Sequence, residues 1–347
     1  MRYLLFSYLP VVQRERGLLI SGLFHWREVF QGEVGAPSFE RLGEYDIVHL
    51  NFTSTSLALV GDLAQACHRF PKTKLVVNID FAVDLWGESL PFPSLLLREL
   101  DKADLLFHVE PRGAELLSLA LRRPVFCIPH PVDTEAISRV QLFTEKLSVV
   151  SSIVHRYDAA HSEAWMLMRG LQEEGLDFQT RCILCDATPD EEILRRVRSE
   201  FSQGSTWTND YQDYLSRLAE SMVVFDSCNL STFGRVVAEC AALCIPVVGH
   251  DCVYASRELY PDLTFSRFEV KKKIAALSGL LNSPALYRSV TIEAYRRLAT
   301  LFSYEAAKRR FLAALGVEET APKMAGNGVN FDDLPQSRDK TRVGAFA

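Results

Sequence analysis

From the N-terminus to about residue 315, short apolar runs bounded by turn residues alternate with longer segments of helical period. That alternation is the pattern of parallel βαβ units, and it appears in both halves of the chain. In the first half it predicts strands at 2–8, 47–51, 75–79, 105–109 and 125–128, with helices at 57–69, 93–101 and 113–121. In the second half it predicts strands at 147–154, 178–184, 205–207, 222–226 and 246–249, with helices at 162–173, 190–201, 211–220 and 234–243. Pro129-His130-Pro131-Val132-Asp133 lies between the two sets, and its prolines favour extended backbone, so the domain linker is placed there. Helical segments at 270–281, 284–301 and 304–315 follow.

The reading is an α/β protein of two doubly wound, Rossmann-like domains facing across a cleft. The N-terminal domain is 1–133, the C-terminal domain 134–300, the closing helix 301–317, and 318–347 a flexible tail poor in apolar residues. Open parallel sheets bind ligands beyond the carboxyl ends of their strands, which places the site between the halves.

A length of 347 residues agrees with two domains. The 44 acidic and 38 basic side chains leave a net charge of −6, which offers no broad positive field to a nucleic acid. No apolar run approaches the ~20 residues of a transmembrane helix, and the apolar start at 1–9 reads as a buried first strand rather than a signal peptide. Eight cysteines scattered through apolar segments read as free core thiols in a reducing cytoplasm. Cys182 and Cys185 point to opposite faces of a predicted strand, and Cys240 and Cys244 lack a histidine pair, so no metal site is expected.

Residues 221–251 are the most informative stretch: a strand, a loop, a helix and another strand. The helix would begin at Gly234 or Arg235, so that amides near 233–236 and the positive end of the dipole favour an anionic group such as a pyrophosphate. Glu239 lies one turn into it, and a carboxylate there can accept both hydroxyls of a ribose. The competing reading makes Gly234 a loop cap and Glu239 a solvent-facing side chain of a packed helix. His130, alone between prolines, reads as a packing residue rather than an acid or base.

Four stretches resemble the GT-B glycosyltransferases, specifically the retaining group that uses nucleotide-activated sugars and carries an E-x7-E motif. Tyr45-Asp46-Ile47-Val48-His49 resembles the group's D-V-V-H strand, Ala103-Asp104-Leu105-Leu106 its A-D strand, and 128–133 its I-P-N-G-V-D linker. Residues 231–248 resemble its E-G-F-G-…-E-A-…-G-x-P-V-V signature through Phe233, Gly234, Glu239, Ala241, Pro246, Val247 and Val248.

The resemblance implies a two-domain enzyme that moves a hexosyl unit from a nucleoside diphosphate sugar to an acceptor hydroxyl. The transfer would proceed with retention and without a metal or other cofactor. It makes Glu239 the ribose-binding glutamate, with Phe233, Gly234 and Arg235 lining the diphosphate. Ser231 stands where the motif has its first glutamate, and a serine can bond a sugar hydroxyl but supplies no charge. His155 and Arg156 stand near the family's basic pair, and Arg156 is taken as the clamp on the leaving diphosphate. Asp80 follows the third strand where His-Asp is common and is assigned to an acceptor hydroxyl, while Asn51 replaces a second common histidine. Cys185-Asp186-Ala187-Thr188-Pro189 stands in place of a G-x-G turn, so base recognition would differ.

Arg14, Arg16 and Gly17 occupy the family's glycine-rich loop and read either as a phosphate contact or as a solvated loop. The apolar stretch 18–26 reads as a core helix or as a peripheral contact for a membrane or a lipid-linked acceptor. Glycans, lipid-linked glycans and proteins all remain as acceptors. Two other readings stay open: a catalytically silent GT-B scaffold that binds a glycan or nucleotide, favoured by Ser231 and Ile79, and a nucleotide-sugar epimerase of related fold.

Overall fold

The computed structural model describes residues 1–8, 24–52, 57–80, 82, 93–142, 149–154, 159–176, 178–184, 195, 201, 205–207 and 211–317. In the N-terminal half, β1 (Tyr3–Phe6), β2 (Glu33–Gly35), β3 (Ile47–Phe52), β4 (Lys74–Ile79), β5 (Leu105–His108) and β6 (Phe126–Cys127) form a parallel sheet in the order β2-β1-β3-β4-β5-β6. Its helices are α1 (His25–Phe30), α2 (Leu57–Cys67), α3 (Pro93–Leu100) and α4 (Pro111–Leu121). The unbroken apolar runs are explained by this arrangement, since every residue of β1 and β5 is buried. Glu110 and Pro111 start α4 as cap and first-turn residue, with the Glu110 carboxylate accepting from the Arg112 and Gly113 amides.

The C-terminal half contains α5 (Thr134–Leu142), β7 (Val149–Val154), α6 (Ala159–Glu173), β8 (Gln179–Leu184), β9 (Ser205–Trp207), α7 (Tyr211–Ala219), β10 (Val223–Asp226), α8 (Arg235–Ala242), β11 (Val247–His250), α9 (Tyr254–Leu259) and β12 (Thr264–Phe265). It continues through α10 (Val270–Asn282), α11 (Pro284–Leu301) and α12 (Tyr304–Ala314). Its parallel sheet runs β12-β11-β10-β7-β8-β9. Each sheet has one strand more than the five expected: β2 and β12 are edge strands of three and two residues, too short to show a period.

Both sheets wind outward in two directions from a central pair, which fixes where each can take a ligand. The strand order reverses between β1 and β3 in the first sheet and between β7 and β10 in the second, and binding crevices form at such reversals. The loop from Asp226 to α8 leaves the second crevice.

The chain crosses between the halves twice, and the crossings are paired. The Val132 amide donates to the Phe302 carbonyl at 2.8 Å, and Val132 and Ser303 form a parallel bridge. Beyond this point α12 packs on the N-terminal sheet, where Ala307 and Phe311 share a core with Tyr3, Leu5, Trp26 and Phe107. The Tyr304 hydroxyl and His25 Nδ1 are 2.7 Å apart. Trp26 is fully buried with its ring 5.3 Å from Phe311, so the described end of the 18–26 stretch is core and not a membrane contact; 18–23 lie outside the described residues. Among the described residues no helix is long and apolar enough to cross a membrane.

A polar chain threads the centre of the first sheet. The Tyr3 hydroxyl meets His49 Nδ1, His49 Nε2 lies 2.8 Å from Asn78 Oδ1, and the Asn78 amide donates to Asn51 Oδ1 at 2.6 Å. Burial pushes the His49 pKa down to about 3 against the opposing Asn78 bond. The network assigns a neutral ring that accepts at Nδ1 and donates from Nε2.

Candidate active site

The β10–α8 segment is the site's frame. Gly234 caps α8 in the left-handed region, at φ 83°, and a Cβ placed there would stand 2.2 Å from Val253 Cγ1. Only glycine meets both demands, and the turn it permits aims the start of α8 at the crevice. The loop is pinned from the other side, as the Tyr254 amide donates to the Thr232 carbonyl and the Ala255 amide to the Phe233 carbonyl. At the strand end, Asp226 is buried and its Oδ1 accepts the Cys228 amide at 3.1 Å.

Glu239 lies one turn into α8 and is 1% exposed. Its Oε1 accepts from the Tyr211 hydroxyl at 2.8 Å and lies 3.2 Å from Arg235 Nε; its Oε2 accepts from the Tyr214 hydroxyl at 2.9 Å. The side chain is thus not solvent-facing, and its carboxylate is already engaged by protein donors. Three of the roughly four acceptor positions of the carboxylate already hold protein donors. Of the three donors, Tyr211 is half-buried at the first position of α7 and Arg235 is partly exposed, whereas Tyr214 is in the core. Burial and the facing Glu239 carboxylate hold the Tyr211 phenol protonated far above its usual pKa.

Phe233 packs inward from the same loop. Its ring is 2% exposed and packs edge-on to Phe302 at 5.2 Å and His130 at 6.2 Å, so only its backbone can face a diphosphate. Arg235 is partly exposed at 23% and shares the first turn of α8, while Ser231 is buried in the loop ahead of it. Asp80 follows β4, and its Oδ2 lies 2.9 Å from His130 Nε2 in the linker. The sequence reading kept Asp80 and His130 apart; the fold joins them, because the linker passes over the carboxyl end of β4. Arg14, Arg16, Gly17, His155, Arg156, the 185–189 turn and the 318–347 tail lie outside the described residues.

A second buried polar group escaped sequence reasoning. Glu163 of α6, His250 at the end of β11 and Lys273 of α10 meet behind the sheet's carboxyl edge: Lys273 Nζ donates to Glu163 Oε1 at 2.5 Å, and His250 Nε2 lies 3.0 Å from Glu163 Oε2. Burial raises the Glu163 pKa, but the His250 and Lys273 bonds outweigh it and hold the carboxyl below its usual range. Lys273 also donates to the Arg267 carbonyl and lies 5.9 Å over the Phe225 ring, so the cluster fixes α6 and α10 against β10 and β11. The free cysteines include four buried thiols and three half-buried ones. Among the described residues no cluster of histidine, cysteine and carboxylate groups could hold a metal.

No family model matches the chain, and no curated protein matches it. Solved structures do. A trehalose-6-phosphate synthase, OtsA, superposes with a TM-score of 0.66 at 12% identity, covering 93% of this chain and 100% of that one. The E. coli structure described as bound with UDP-2-fluoro glucose gives 0.62 at 13% identity, with 93% and 100% covered. Anabaena HepE in complex with UDP gives 0.64 at 13%, with 91% and 100% covered. At such identities the likeness establishes the fold: two α/β domains of the GT-B type.

Proposed function

We propose that this protein is a glycosyltransferase that moves a sugar from a nucleoside diphosphate donor, UDP being the first nucleotide to test, to an acceptor hydroxyl. The observation that carries the reading is the pairing of a glycine-capped helix start with a carboxylate one turn in, at the strand-order reversal of the C-terminal sheet. It is supported by two structures of like fold described as bound with UDP-2-fluoro glucose and in complex with UDP. In this reading Glu239 takes the ribose, and the amides of 233–235 take the diphosphate. Arg156 and Arg14 are assigned to the leaving group from sequence, with Gly17 allowing close approach. Ser231 bonds the donor sugar, and Asp80 bonds the acceptor hydroxyl.

Such chemistry needs positioning of two substrates and stabilisation of the departing diphosphate more than a strong protein nucleophile. The proposal is for a hexosyl unit, transferred with retention and without a resident cofactor; a glycan, a lipid-linked glycan or a protein would be the acceptor. Two observations favour a second reading, a nucleotide- or glycan-binding protein without turnover: Glu239 is already engaged by Tyr211, Tyr214 and Arg235, and Ser231 supplies no charge. Release of nucleoside diphosphate from UDP-, GDP- and ADP-sugars, with and without mixed glycan acceptors, separates the two. Acceptor-stimulated release supports transfer, and binding without release under every condition supports the second reading.

A further inference from the structure

His130 is 2% exposed, held between Pro129 and Pro131 in the first interdomain crossing. Its Nε2 stands 2.9 Å from Asp80 Oδ2, and its ring meets the Phe233 edge at 6.2 Å with the planes at 72°. One side chain in the linker thus touches the carboxylate at the end of β4 and the residue next to the cap of α8. The crossing it stands on cannot slide freely, because Val132 is hydrogen-bonded to Phe302 in the return crossing. The buried imidazole thus stands in close contact with one oxygen of a carboxylate that stays 25% exposed, without an aligned hydrogen bond to it.

We propose that His130 is a positioning residue: through Nε2 it sets the orientation of Asp80 toward the acceptor, and through its contact with Phe233 it registers that carboxylate against the tip of the donor-binding helix. This inference rests on the function proposed above and adds to it a residue whose isolated place in the sequence reads as packing. The contact is made from the Nε2 position and not from the Nδ1 position: Nε2 stands 2.9 Å from Asp80 Oδ2, although neither ring nitrogen has an aligned hydrogen-bond partner among the described residues.

Two substitutions separate these positions. His130→Gln keeps a donor near the place of Nε2, and His130→Asn keeps one only near Nδ1. Both are measured for nucleotide release from the UDP-sugar that the wild type turns over, and for UDP affinity by calorimetry. The expected result is a kcat within about threefold of wild type for Gln and lower by tenfold or more for Asn, with UDP Kd unchanged in both. Asp80→Asn should fall as far as His130→Asn, and the double variant no further. Equal activity of the Gln and Asn variants, whether both retained or both lost, overturns the positioning role while leaving the transferase reading intact. A wild type that releases no nucleotide from any sugar donor overturns that reading and this inference with it.

Discussion

Replacing Tyr211 by Phe removes one oxygen, yet it bears directly on how the donor is admitted. The Tyr211 hydroxyl donates to Glu239 Oε1 at 2.8 Å, and the ring stacks on Tyr214 with centroids 6.1 Å apart, a contact that Phe retains. A hydrogen bond to a charged acceptor is worth about 1.5–3 kcal/mol net. If ribose binds by displacing this hydroxyl, the wild type loses that amount on binding and the variant does not, so UDP Kd should fall roughly 10- to 100-fold in Tyr211→Phe. The ligand-free variant should be less stable by a similar ~1.5–3 kcal/mol, because the same bond is absent from the folded state. Calorimetric titration with UDP and urea denaturation read the two effects separately. An affinity that is unchanged or weaker, alongside the stability loss, would refute displacement: Tyr211 would then be a fixed orienter of Glu239, or no ribose would reach that carboxylate.

Three further outcomes follow from the packing. Gly234→Ala combines a left-handed backbone with a Cβ 2.2 Å from Val253 Cγ1 and should lower stability by about 2–4 kcal/mol in urea denaturation. Lys273→Met leaves the Glu163 carboxylate buried without its ammonium and should cost about 3–5 kcal/mol, partly recovered when Glu163→Gln is added, as a double-variant cycle will read. His49 ionises only near pH 3 when folded but at its ordinary value, 6.5, when unfolded, so the unfolded chain binds the extra proton between those limits. Stability should therefore fall with pH through that window by about 1.4 kcal/mol per unit, roughly 2 kcal/mol by pH 5, and His49→Gln should remove this part of the slope in denaturation curves taken at several pH values.

What the sequence disclosed, and what it hid, divides along physical lines. The long apolar runs and helical periods are properties of single segments, and α11 at Pro284–Leu301 has the bounds its periodicity predicts. The edge strands β2 and β12 carry too few residues to show a period, and α1 lies in a stretch whose apolar run also fits a surface contact. Gly234 and Glu239 were legible because a helix start and a carboxylate one turn later are local features. Their surroundings were not: Tyr211 precedes Glu239 by 28 residues, and only the packing of α7 on α8 brings them together. His130 reads as packing for the same reason, since Asp80 lies just past β4, far off in the sequence, and Phe233 in the other half of the chain. The tyrosines three apart in 211–214 were the one available signal, because that spacing places two hydroxyls on one helix face.

The reasoning as a whole depends on whether Glu239 grips the sugar of a nucleotide, and a ligand with and without that diol tests it most directly. UDP and 2′,3′-dideoxy-UDP are titrated into the wild type and into Glu239→Gln. Loss of the diol should weaken binding to the wild type about tenfold or more and make little difference to the variant. A wild type that takes both ligands equally well, or takes neither, contradicts the placement of the donor on this helix.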